Sequence, residues 1–213
     1  MNPVADFDFG VTALAQQFHQ DWPSEGVPMD VAIAYLNGQS AAHLAALADD
    51  LSFMIEWNAR GDYAGSLWFA STMGNYQPRL AGMSSEGLLR LVLGECNERL
   101  KRESRPLSSG LRYRECGGEV RRVIQQLHDR LSDCLTRSGL GGALGEGSPA
   151  AVEALHQYAD SEARPELAFR FLLRLLVASN CTIGLTEYED LREIGTAMGY
   201  GLFLMSTVEF LVE

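Results

Sequence analysis

The chain is expected to fold as an all-α antiparallel helical bundle, with scope for two helical subdomains, on three observations. Apolar residues recur at helical spacing in at least five segments, and residues suited to capping stand at the ends of those segments. No convincing pair of alternating strands offers itself, so a sheet has nothing to build from. With 213 residues, 46% hydrophobic and 21% charged, the chain can bury a full core and falls outside the disordered class.

Taken in order, Pro28 suits the first turn of a helix through Tyr35 and Leu36, and Asn37-Gly38 makes a natural break after it. Ser40 is the N-cap of a second helix with the stripe Leu44, Leu47, Leu51, Met54 and Ile55. Ser84 opens another, with Leu89, Val92, Leu93, Cys96 and Leu100 on one face. A longer stripe, Val120, Val123, Ile124, Leu127, Leu131, Cys134 and Leu135, ends at Ser138-Gly139, where Gly139 suits the left-handed position past a helix end. Pro149 and Pro165 fall where first-turn prolines belong. Thr186-Glu187-Tyr188-Glu189 matches a capping box and opens a short helix that should stop at Gly199. For Leu202 to Val212 both strand and helix spacings exist; helix is preferred because a strand would lack a partner. Two connections look loose, Glu103 to Gly118 and the glycine-rich Gly139 to Gly147. The expected organisation is an acidic helical part at 1–102, a loop at 103–117, and a helical part at 118–213 that could pack into one globular unit with the first.

Charge is distributed in three blocks. Residues 1–98 hold twelve acids against Arg60, Arg79 and Arg90, a net of −9; residues 99–137 hold ten bases against five acids, a net of +5; residues 138–213 hold eleven acids against four bases, a net of −7, for −11 in all. The basic middle is flanked by acid on both sides, so pairing with the acidic segments is the preferred use of its arginines, ahead of nucleic acid. No window of eighteen uncharged apolar residues exists, and acids stand where a signal peptide needs bases, so the expectation is a cytoplasmic protein that neither spans nor binds a membrane. Cys96, Cys116, Cys134 and Cys181 are widely spaced and are read as reduced thiols, with Cys96 and Cys134 acting as small hydrophobes on helix stripes.

Chemistry is hard to find in these residues. His19, His43, His128 and His156 are isolated in sequence, so a metal site would have to be assembled from distant segments, and none is expected. The glycine run lacks the Gly-x-x-x-x-Gly-Lys-Ser/Thr pattern, and no Gly-x-Ser-x-Gly elbow occurs. No cofactor is implied. Asp49-Asp50 and Glu189-Asp190 point about 100° apart on a helix and read as solvated faces. A hydrolase built from His19 and Asp21 is conceivable, but residues so close in sequence more often satisfy local backbone groups.

The most distinctive stretch precedes Arg60, before which no Lys or Arg occurs while Asp6, Asp8, Asp21, Glu25, Asp30, Asp49, Asp50 and Glu56 all do. It includes the string Phe18-His19-Gln20-Asp21-Trp22. Phe18 and Trp22 are four apart and can meet on one helix face as buried anchors; the rival reading sets His19, Asp21 and Trp22 on a binding surface. From about Ala15 to Trp57 this string, Glu25, the Val31 to Leu36 helix, Ser40 and the Leu44, Leu47, Leu51 helix resemble the immunity proteins of bacterial contact-dependent growth-inhibition systems. Pro23, directly after Trp22, departs from the family's pattern.

The resemblance implies a small, helical, non-enzymatic intracellular protein that binds and neutralises a cognate toxin domain. The candidate toxin-binding residues are His19, Asp21, Trp22, Glu25, Asp30, Asp49, Asp50 and Glu56. Acidic surfaces repel nucleic acid and attract basic protein clefts, which suits a nucleic-acid-acting toxin as partner. Two alternatives stand beside it: an acidic helical adaptor for another basic protein, and an enzyme whose site is not readable in sequence.

Overall fold

A computed structural model describes residues 8–58, 63–76, 81–105, 116–140, 147–160 and 164–213. Among them are ten α-helices, two 3-10 turns and no strand; a single parallel bridge joins Ile183 to Val212. The all-α bundle expected from periodicity is what forms. It comprises two compact units, one at Phe9–Leu111 and the other at Arg112–Glu213, which also takes in Asp8. The expected 103–117 loop lies largely outside the described residues, as does the glycine run from 141 to 146.

The first unit contains α1 (Gly10–Gln16), a 3-10 turn at Trp22–Ser24, α2 (Pro28–Asn37), α3 (Ala41–Asn58), α4 (Tyr63–Ser71) and α5 (Ser85–Arg102). Helix α3 is its axis, packing against α1, α4 and α5. Its stripe is buried as expected, and Ala45, Ala46 and Ala48 are buried with it, because helices approach it from more than one side. Local signals place the ends. Pro28 opens α2, and the Ser84 hydroxyl accepts the Gly87 N–H at 3.0 Å to cap α5.

The second unit contains α6 (Gly117–Arg137), α7 (Gly147–Asp160), α8 (Pro165–Ala178), α9 (Leu185–Ala197), α10 (Leu202–Ser206) and a 3-10 turn at Glu209–Leu211. Helices α6, α7 and α8 pack mutually, α8 being buried on nearly all sides, while α9 lies against α6. Gly139 and Gly199 take the left-handed φ values of +67° and +73° that stop α6 and α9. The capping box expected at Thr186 is instead set at Gly184: the Glu187 carboxylate accepts the Gly184 N–H at 2.7 Å, so α9 starts two residues earlier than its hydroxyl suggested. The terminal segment is a short helix and a turn, and the bridge at Val212 uses only the last of the strand-compatible residues.

Candidate functional site

Four aromatic rings organise the acidic end of the first unit. Phe18 stands edge-on to Trp22, Trp68 and Tyr76 with centroids 5.3–5.5 Å apart, and Trp22 stacks on Tyr76 at 6.0 Å. Trp22 also donates its indole N–H to the Asn75 carbonyl at 3.0 Å, and Tyr76 donates its hydroxyl to the Met83 carbonyl at 3.1 Å. Burial pushes the Tyr76 phenol up to about 12, so it remains a donor. Asn75 is presented by a tight reversal in which Met73 (φ 56°) and Gly74 (φ 73°) both adopt left-handed conformations.

This cluster decides between the two readings of the Phe-His-Gln-Asp-Trp string. Phe18 is 1% and Trp22 3% exposed, so Trp22 is a buried anchor and not part of a free surface. The anchors do not share one helix face, however. Phe18 follows α1, and Trp22 begins a separate 3-10 turn, so their contact is made by a bend in the chain.

Outside the aromatic base stands the acidic segment. His19, Asp21, Glu25 and Asp30 are all exposed. His19 Nε2 lies 3.1 Å from Glu25 Oε1, and its Nδ1 accepts the Asp21 N–H at 3.3 Å, so the imidazole serves local chain contacts. Asp30 has a structural duty as well, because its Oδ2 accepts the Val27 N–H at 3.0 Å at the start of α2. Gly26 is held at φ +131°, where a Cβ would come within 2.5 Å of that same oxygen. Glu56 is exposed and Asp49 half-buried.

Asp50 corrects the expectation of a solvated Asp49-Asp50 face. It is completely buried, and its carboxylate accepts the Val11 N–H at 3.0 Å, satisfying a backbone donor at the start of α1 from a position 39 residues away. With Trp22, it leaves the set of surface candidates. The exposed candidates are His19, Asp21, Glu25, Asp30 and Glu56, of which only His19, Asp21, Glu25 and Asp30 lie on one short stretch of chain.

In the second unit three arginines of the basic block pair at the surface with carboxylates of the acidic block. Arg121 pairs with Asp160, Arg122 with Asp190 at 3.0 Å, and Arg130 with Glu187, whose carboxylate also caps α9. In the first unit Arg99 and Lys101 pair with Glu95 and Glu98 a turn away. Burial pushes the Cys96 and Cys181 thiols up to about 12, and Cys134 adds to the shift at Cys181, which disfavours the reactive thiolate at those two positions.

A feature hidden from sequence reading is a cleft of about 460 Å³ lined by Arg121, Gln125, His128 and Asp129 of α6 and His156 and Asp160 of α7. Within it His128 Nδ1 lies 2.7 Å from His156 Nε2. Burial first, and His128 second, lower the pKa of His156 and favour its neutral form. A signal existed: His128 stands nine residues before Arg137, the last of α6, and His156 nine after Gly147, the first of α7. At about 1.5 Å per residue, two antiparallel helices joined there bring both rings to one level. No family model, no curated protein and no solved structure matches this chain.

Proposed function

We propose that the chain is an acidic binding protein of the immunity type, which uses the Asp21–Asp30 segment to engage a basic surface on a cognate toxin domain. The observation that carries this reading is the pairing of an exposed row of carboxylates with a rigid base. Asp21, Glu25 and Asp30 project from a segment tied down by Trp22 and by the α2 cap, so little conformational entropy is lost when a partner orders them. The local pairing of Arg121, Arg122 and Arg130 with Asp160, Asp190 and Glu187 supports it further, since it reduces the counterweight that the basic block would otherwise set against the acidic surface.

Rescue is the primary test. Cells expressing the neighbouring toxin domain should survive when this chain is co-expressed, and the two proteins should co-purify in a fixed ratio. Reversal of Asp21 and Glu25 to Lys should slow association and flatten its salt dependence, with each rim acid contributing about 0.2–1 kcal/mol. Asp30 is left intact in that variant because its loss would also uncap α2. A folded double variant that binds and rescues as well as the parent would remove the proposal. Stable binding to a different basic protein, without rescue, would favour the adaptor reading.

A further inference from the structure

We propose that His128 and His156 form a site for one divalent transition-metal ion, with one ring nitrogen from each of two helices as ligand and water completing the coordination. The facing atoms, Nδ1 of His128 and Nε2 of His156, are 2.7 Å apart, so one ring nitrogen from each helix is already turned into the same space, where they hydrogen-bond to one another. Two imidazole nitrogens bound at about 2.0–2.1 Å to a single ion are roughly 2.9–3.4 Å apart, a separation reached by a small opening of the rings. The cleft is open enough to supply water for the other coordination positions.

Charge selects a cation over an anion. Among the described residues Asp129 and Asp160 line the cleft against a single guanidinium, that of Arg121, which is engaged with Asp160, and Glu153 adds a further negative charge near His156. A phosphate or carboxylate ligand would meet two carboxylates there. Among the described residues no set of three or more His, Cys, Asp and Glu side chains is arranged to hold a metal, so the protein supplies two ligands and the affinity is modest. Imidazole donors and the general order of divalent affinities then favour Cu²⁺ over Ni²⁺ and Zn²⁺.

Proton balance permits binding at neutral pH. In the neutral pair a single N–H lies between the facing nitrogens; on metal binding that hydrogen moves to the other nitrogen of its own ring, and no net proton leaves. Acid opposes binding by protonating the imidazoles. Among the described residues the charged groups at the pair are Arg121 and Asp129 from α6 and Glu153 and Asp160 from α7, and α8, which packs on both helices, contributes none to the lining.

The test is a titration of the untagged, chelator-treated full chain with Cu²⁺ alone at pH 7.5, followed by calorimetry and electron paramagnetic resonance. One equivalent should bind with hyperfine structure from two imidazole nitrogens, at least tenfold more weakly in His128→Gln or His156→Gln, and unchanged in His19→Gln and His43→Gln. Binding at pH 5 should be at least tenfold weaker than at pH 7.5. Zn²⁺ added to the unmutated chain should shift the ring resonances of His128 and His156 ahead of those of His19 and His43, a readout that needs no variant to fold. Absence of binding, binding unchanged in the His128→Gln, His156→Gln double variant, or equal response of all four histidines would overturn the site.

Discussion

The acidic segment of the first unit and the two-histidine cleft of the second are opposite solutions to placing polar groups on a helical scaffold. Around Trp22 the ionisable side chains stand outside a cluster of buried aromatic rings, so they offer charge to a partner while the rings below them stay packed. Between α6 and α7 the ionisable groups are themselves the packing contact, half-buried and hydrogen-bonded to one another. The difference teaches that exposed carboxylates act through their number and field, whereas the half-buried imidazoles act through close mutual contact, with burial favouring the neutral form of His156. Disturbing each arrangement should therefore have a different signature.

The largest effect is expected from the base of the acidic segment. Phe18→Ala removes the ring that touches Trp22, Trp68 and Tyr76, and should cost about 3–5 kcal/mol, measured by urea unfolding with tryptophan fluorescence. A loss below about 1 kcal/mol would mean that the cluster does not hold the segment, and the contrast with the cleft would collapse.

Next comes Asp50→Ala, which leaves the Val11 N–H at the start of α1 without that acceptor in a buried place. The expected loss is about 1–3 kcal/mol, whereas Glu56→Ala, at an exposed site, should change stability by no more than about 0.5 kcal/mol. Equal effects would erase the distinction drawn here between buried and surface acids.

The pH response should separate the two regions. The folded pKa of His156 is depressed, so the fold favours its neutral form. Its contribution to stability is fully present above the unfolded value near 6.5 and is lost as pH falls through the lower folded value. Thermal melts in chelator from pH 7.5 downward should show this acid loss, and His156→Gln should flatten it. A loss of the same size in the variant would assign the acid sensitivity elsewhere.

The smallest expected effect belongs to the surface ion pairs. Arg122 and Asp190 meet at 3.0 Å with their side chains 49% and 25% exposed, and a double-mutant cycle should return about 0.2–1 kcal/mol. That magnitude suits a pair whose main result is to neutralise the basic block locally.

Helix ends were legible in the sequence because capping is a matter of a few adjacent residues. Pro28, Ser84, Gly139 and Gly199 each mark an observed boundary, and the stripe from Val120 to Leu135 named the buried face of α6 before any packing partner was known. At the acidic segment the residue types alone announced an unbalanced charge, and Phe18 and Trp22 could be suspected as anchors from their spacing. Their burial could not be decided there, because the deciding partners are Trp68, Tyr76 and the Asn75 carbonyl, the last 53 residues from Trp22.

Composition, periodicity and local caps thus determined that this chain is all-α, where most of its helices stop, and that its N-terminal part is acidic. Tertiary structure alone decided which of those acids face solvent, since Asp50 and the half-buried Asp49 are adjacent residues of one type that differ only once α1 docks on α3. It also joined His128 to His156 across 28 residues, a pairing that the helix lengths alone only suggested. The physical reason is range: a cap or a helix stripe is written within one to a few turns of chain, while burial and side-chain pairing depend on which helices meet and at what height.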